Sequence, residues 1–481
     1  MSCFIGIDVG TTNIKTAAFD ENGKQLASAE KAVQVFHSRN EYSEYDAVLL
    51  WEGVCLCLHE LGLQGVCPDA VCVSSFGECM FPLDADGVPL AKGIAWFDMR
   101  ASDEAFCFES DFGSIKLFGI TGQRCSAKFS APKLLWMRTH MADVFNRTHR
   151  FVTAMDYIAY RLTGTFATDF SLASRSMLFD TGKRDWSNEI LEYCGLRKEQ
   201  LSNLYAAGEM TGRVTDDAGK ITGISAGTPV TLGGHDHSCA MMAASADKTD
   251  ILLDSLGTAE MAVYARPGLT DFTPLYNDAI CFYPYSREGE NSFRYISSLQ
   301  ACGASIEWAA KMFAEGDYDR FFEQAARSKE APVYLPFIRG LQENNHMLGA
   351  FTGLKDTHGQ AEFCMAVVEG LCFEQKRRID AMQQFIDFMG DRMHLRAVGK
   401  LSSTSLLMQL KADVLNRSVE TIAHEYAVCL GGARLAAGMC GQEMKIEKLV
   451  ECTYEPRTGE WERYQRRYES YIRSFNKMNQ I

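Results

Sequence analysis

Asp8, Gly10, Thr11 and Thr12 stand at the end of an apolar run, Phe4-Ile5-Gly6-Ile7. The run reads as a buried strand, so a carboxylate, a glycine and two hydroxyls at its end call for a chemical reason. A Gly-Thr turn offers bare backbone N–H groups and hydroxyls, which suit phosphate oxygens. A carboxylate beside it suits Mg²⁺, held through water because that ion gives up its hydration shell reluctantly. The same letters also make plain β-turns. A second copy strengthens the phosphate reading: residues 251–265 again run from apolar strand through Asp254 and Gly257-Thr258 into strand. Two such turns, one from each half of the chain, would grip a polyphosphate from both sides.

The elements around these residues narrow the choices. After Thr12 the sequence alternates and turns at Asn22-Gly23, which predicts a two-residue hairpin that includes the Gly-Thr-Thr stretch. A Rossmann start would pass directly from glycine loop to helix, and a Walker loop would carry Gly-Lys-Ser/Thr. Residues 45–61 have helical apolar spacing. A strand then breaks at Phe76-Gly77-Glu78, and a further hairpin is signalled at Asp86-Gly87. "DYIAYRLTG" reads as a helix stopped by Gly164. "TPVTLGGHDHSCAMMAA" runs from strand through Gly233-Gly234 into a small-residue helix. The longest helical pattern covers residues 363–389, and a charged helix closes the chain. At 481 residues the chain exceeds one ordinary core, so two domains are expected, at 1–244 and 245–481.

Composition excludes some partners. Lys and Arg number 48 against 62 Asp and Glu, a net charge of −14, which speaks against nucleic acid or an anionic membrane surface. The 17 cysteines include no Cys-x-x-Cys and read as small buried hydrophobes in a reducing compartment. No signal peptide or membrane-spanning run is evident, so the expected location is the cytoplasm.

Six segments in order resemble the FGGY carbohydrate kinases, a family within the actin and hexokinase fold superfamily. "IGIDVGTTNIK" and "DSLGTAE" are similar to its two phosphate motifs, and "WFDMR" at 96–100 to its Trp-x-Asp-x-Arg segment. "SAPKLLWMRTH" from Ser130 and "GAFTGLKDTHGQAEFCMAVVEG" from Gly349 resemble the two family signatures. "DYIAYRLTGTFATDFSLASRSMLFD" resembles its mid-domain block. The resemblance implies an α/β fold of two RNase H-like domains flanking a deep catalytic cleft. It also implies an ATP- and Mg²⁺-dependent transfer to a small carbohydrate (ketose, polyol or sugar acid); on general grounds of symmetry a homodimer is expected.

By position, the resemblance makes Asp236 the catalytic base and puts Asp8 near the metal, through water. Gly10, Thr11, Thr12, Lys15, Gly257 and Thr258 fall at phosphate positions, and Gly399, Ser402 and Gly431 at the nucleoside end. Glu78, Lys128 and His237 join Asp236 on the substrate side. Alone, Asp236 would serve as a helix N-cap, Lys15 as an exposed strand residue, and Glu78 as a solvated loop glutamate.

Three departures stand out. The family's glycine-rich adenine strand is "VGKLSS" here, with Lys400 and Leu401 in place of two glycines. Its Gly-Glu-Arg-x-Pro loop is "GLQENNHM". Lys128 replaces an aromatic or small residue. A non-catalytic sugar or nucleotide sensor on the same fold is the rival reading; the intact Asp8, Asp236 and paired Gly-Thr turns favour catalysis.

Overall fold

The structure is a computed structural model that describes residues 2–38, 42–245, 251–268, 271–287, 292–328, 330–344, 346–385, 393–422, 426–446 and 449–480. Its first sheet holds strands β1 (Cys3–Val9), β2 (Asn13–Asp20), β3 (Gln25–Ala32), β4 (Ala70–Ser75), β5 (Met210–Arg213) and β6 (Pro229–His235) in the order β5-β6-β4-β1-β2-β3. β1, β2 and β3 form an antiparallel meander; β4 runs parallel to β1, and β6 parallel to β4. Fully buried parallel strands need apolar residues on both faces, and Ala70–Ser75 is buried throughout.

The opening therefore contains two turns rather than one. Gly10-Thr11-Thr12 joins β1 to β2, and a second turn joins β2 to β3. That second turn spans Glu21, Asn22 and Gly23, because Asp20 N–H donates to the Lys24 carbonyl at 3.0 Å. Gly23 takes φ +75°, so the Asn-Gly pair makes a three-residue loop with a left-handed glycine instead of a two-residue turn.

The second sheet repeats the plan with β7 (Ile251–Leu256), β8 (Glu260–Arg266), β9 (Cys281–Pro284), β10 (Phe293–Leu299), β11 (His394–Val398), β12 (Val419–Ile422) and β13 (Val450–Tyr454). The order is β9-β10-β8-β7-β11-β12-β13. β7, β8 and β10 form the antiparallel meander, and β11 and β12 continue parallel to β7. Five strands share one order and orientation in the two sheets, β3-β2-β1-β4-β6 in the first and β10-β8-β7-β11-β12 in the second, as expected of two RNase H-like lobes.

The helices that matter for the site are α1 (Ala47–Leu63), α2 (Ser130–His140), α3 (Ala154–Thr163), α4 (Phe170–Arg175), α5 (Asp236–Ala243), α6 (Cys302–Phe313), α7 (Gln360–Phe385), α8 (Ser405–Leu415), α9 (Ala427–Met439) and α10 (Glu460–Met478). α3 ends at left-handed Gly164, as its sequence predicts. The expected tail of α7, residues 386–389, lies outside the described residues, as does Asn345 in the "GLQENNHM" loop. α9 comes from the second half of the chain but packs on the first sheet, in one apolar cluster with Phe4, Phe19, Ala70 and Cys72. Small residues permit this approach: a Cβ on Gly6 would lie 1.9 Å from the Cys429 carbonyl oxygen.

Candidate active site

The two Gly-Thr turns present their backbones alike. In the first, the Thr12 carbonyl accepts from Val33 N–H and the Thr11 carbonyl from the Tyr45 hydroxyl. In the second, the Gly257 and Thr258 carbonyls accept from Gly303 and Ala304 at the start of α6, at 3.2 and 3.3 Å. Both turns thus have their carbonyls engaged, while the N–H groups of Thr11, Thr12 and Thr258 donate to no described backbone carbonyl. A phosphate needs that arrangement, with free donors on a fixed backbone. Gly257 and Thr258 are exposed. Gly399, at φ +98°, runs directly against the Leu256 carbonyl, so the "VGKLSS" segment begins beside the second turn.

Asp8 and Asp236 flank the carboxyl end of β4. Asp8 is level with Ser74 from one side and His235 with Ser75 from the other. Their strands are two spacings apart, about 9.5 Å. Asp8 faces Lys15 directly across the β1–β2 ladder. One oxygen of Asp8 is buried with no hydrogen-bond partner. Burial and the charge of Asp236 push the Asp8 carboxyl up to about 8, with Lys15 opposing. A carboxylate so placed is relieved by a cation.

Asp236 begins α5 as its first helical residue; His235 occupies the cap position, so the N-cap reading of Asp236 does not hold. Its Oδ1 accepts from its neighbour His237 N–H at 2.6 Å. His235 Nδ1 lies 3.0 Å from the same oxygen and His237 Nε2 3.7 Å away. Burial opposes the charge, yet the two imidazoles, the His237 N–H and Arg175 hold the carboxyl below its ordinary value. Burial keeps His235 neutral, pulled down to about 4. Asp236 retains 32% of its side-chain surface, which leaves an opening for a hydroxyl. His235, Asp236 and His237 each bring one metal-ligating atom within 4.8 Å of the others. Two imidazoles suit a transition metal, whereas Mg²⁺ prefers oxygen and so points to Asp8.

Local backbone features fix this constellation. β6 bulges between Leu232 and Gly234, and Gly234 takes φ +82° with no room for a Cβ beside Ser171 and Asp169. Asp169 caps α4 through Ser171 and Leu172 N–H, and Ser171 Oγ accepts from His235 N–H at 2.8 Å. α4 ends in Arg175, whose guanidinium pairs with Glu78 and donates to Gln123 at 3.2 Å. Glu78 is therefore buried and ion-paired rather than a solvated loop residue, and it holds a left-handed φ of +65°. Burial would raise its carboxyl, but Arg175, with His235, Lys128 and Lys133, holds it down. Lys128 is half-buried, its ammonium 4.8 Å from the Phe129 ring centre.

Other expectations change in detail. Asp254 was expected to echo Asp8, but the strand register places it differently. Asp8 stands two residues before its glycine and Asp254 three, and successive strand residues face opposite ways. Asp254 is buried against Lys411 at 2.6 Å, in a network with Glu260 and Gln375. Ser255 holds the place matching Asp8 and reaches His237 Nδ1 at 3.1 Å. Sequence reasoning missed Ser255; counting back from the glycine would have found it.

At the nucleoside end, Leu401 is buried in the core of the second lobe, and only Lys400 of the two substitutions is exposed. Ser402 is also buried, with its hydroxyl on the Gly399 carbonyl at 2.7 Å. Gly431 is buried at the α5–α9 crossing, where a Cβ would lie 1.8 Å from the Cys239 carbonyl oxygen. Its small size serves helix packing, not an open ligand surface. In "WFDMR", Arg100 forms a fork with Asp98 and reaches Glu44, so these charges are structural.

Comparison with known proteins agrees with this construction. The N-terminal domain model of the FGGY family of carbohydrate kinases matches residues 3–243, and its C-terminal domain model matches 255–440. The xylulose kinase of Escherichia coli K12 is 26% identical, with 99% of each chain covered. The fold is shared with a ligand-bound xylulose kinase from Lactobacillus acidophilus, at TM-score 0.89 and 23% identity over 99% of this chain and 98% of that one. It is also shared with a gluconate kinase from Lactobacillus acidophilus, at TM-score 0.88 and 22% identity over 99% and 98%. With both halves matched in order, the chain belongs to the FGGY family of carbohydrate kinases and is a sugar kinase that uses ATP as phosphoryl donor.

Proposed function

We propose that the protein transfers the γ-phosphoryl group of ATP to a hydroxyl of a small carbohydrate with Asp236 as the general base. The observation that carries this reading is the state of Asp236: ionised, partly open and fixed at the first turn of α5 beside two imidazoles. Phosphoryl transfer asks little covalent chemistry of the protein and much positioning. Asp236 would orient the acceptor hydroxyl and take its proton, while Glu78 and His237 hold other hydroxyls. Lys15 and the N–H groups of Thr11, Thr12 and Thr258 would hold the phosphates, with Gly10 and Gly257 letting the chain approach closely. Gly399 and Ser402 would shape the nucleoside end.

Mg²⁺ fits the residues present, because Asp8 has a buried oxygen without a partner and a carboxyl raised by burial and by Asp236. Asp8 would hold the ion through water; when bound, the ion neutralises phosphate charge. The domain boundary in this reading falls at 244/245.

The test is a coupled ADP-release assay over ketoses, polyols and sugar acids, with the product identified by ³¹P NMR. Sugar-dependent ADP release supports the proposal. A folded, ATP-binding protein that phosphorylates none of them overturns it.

A further inference from the structure

Two cations, Arg175 and Lys128, stand beside the buried carboxylate of Glu78. The Arg175 guanidinium and the Lys128 ammonium approach one ring, that of Phe129, at 5.0 and 4.8 Å from its centre. The Arg175 charge is matched by Glu78. Among the described residues, Lys128 Nζ has neither an ion-pair nor a hydrogen-bond partner. Arg175 Nε and Ser130 Oγ are also buried without partners.

Lys133, close by, is already engaged. Its ammonium donates to the carbonyls of Lys128, Ala95 and Glu78 at 2.7, 2.8 and 3.3 Å, and burial pulls it down to about 8. This anchor fixes the backbone that carries Lys128. α2 begins at Ser130 with no acidic residue in its first turn, so its positive end adds to the local field. The other titratable groups facing Lys128 are Arg175, Glu78 and Cys281. Burial and Arg175 disfavour the Lys128 charge, and a single negative group would compensate it.

We propose that Lys128 is a specificity-determining residue that binds a carboxylate on the acceptor, so that the preferred substrate is a sugar acid. The inference rests on the kinase reading above and names its substrate class. One uncompensated cation matches a monoanion. Neutral ketoses would leave this cation unpaired.

The experiment compares kcat/KM for five- and six-carbon aldonates with D-xylulose, in wild type, Lys128→Met and Lys128→Arg. Wild type is expected to prefer an aldonate. Lys128→Met should lower the aldonate-to-ketose ratio by roughly 10- to 100-fold, the range for one charge-assisted bond. Lys128→Arg should restore most of it. A wild-type preference for D-xylulose, or a ratio unchanged in Lys128→Met, overturns the proposal. Calorimetric binding of the same aldonates without ATP separates the two readings. Lys128-dependent aldonate binding without any phosphorylation sinks the kinase reading but keeps Lys128 as the carboxylate-binding residue. Phosphorylation of neutral ketoses with no preferential aldonate binding does the reverse.

Discussion

Asp236 and Glu78 are carboxylates that the protein keeps ionised by different means, and they differ in what their loss should do. Asp236 is held by imidazoles and a backbone N–H at the mouth of the site, so its replacement bears on turnover. Glu78 is buried against Arg175, so its replacement bears first on stability. Breaking a buried pair by removing one partner leaves the other charge uncompensated, at a cost of about 3–5 kcal/mol. Glu78→Gln should therefore lower the melting temperature clearly at pH 7. The pH dependence has a definite sign. The folded carboxyl lies below its ordinary value of 4.5, so its contribution is present above pH 4.5 and is lost as pH falls through the folded value. Thermal melts from pH 7 to pH 3 should show a shallower acid limb in Glu78→Gln than in wild type. Parallel acid limbs would mean that Glu78 and Arg175 are not a functioning ion pair.

Glycine contacts set the positions of the elements that carry the chemistry. α5 holds Asp236, and α9 crosses it at Gly431 so closely that a Cβ would strike the Cys239 carbonyl. Overpacking of this kind typically costs about 1–3 kcal/mol, so Gly431→Ala should melt at a lower temperature than wild type. If Gly431→Ala melted normally but raised the KM for ATP, the glycine would serve the nucleotide instead. The order of strands and helices was legible in the sequence because apolar periodicity and turn residues mark them: Gly164 ended its helix, and Gly10 follows the last residue of β1. Register was harder to read, since a one-residue difference in spacing turns Asp254 inward and Ser255 toward His237. The direction of Leu401 was likewise invisible, because a leucine near a ligand strand and a leucine in a core look the same until the chain is folded. The Glu78–Arg175 pair joins residues 97 positions apart, and nothing in either neighbourhood announces the other.

On the scale of the whole molecule, the two sheets repeat a five-strand plan and meet at the site. His237 from the first half reaches Ser255 from the second, and α9 from the second half completes the apolar packing of the first. Ser255→Ala removes one of the hydrogen bonds between the halves, worth about 0.5–1.5 kcal/mol. It should lower kcat/KM for the sugar by up to about tenfold and leave the melting temperature nearly unchanged. A large loss of stability without a kinetic effect would make Ser255 a structural residue only. In the proposed function one base, Asp236, carries the proton transfer, beside His237, which bonds Ser255 of the second half. The most direct measurement is the single-turnover rate of sugar phosphate formation by Asp236→Asn under saturating ATP and sugar, with binding of both ligands checked by calorimetry. The account predicts intact binding and a rate lower by about 10²- to 10⁴-fold. A rate near that of wild type, with the protein folded and both ligands bound, would contradict it.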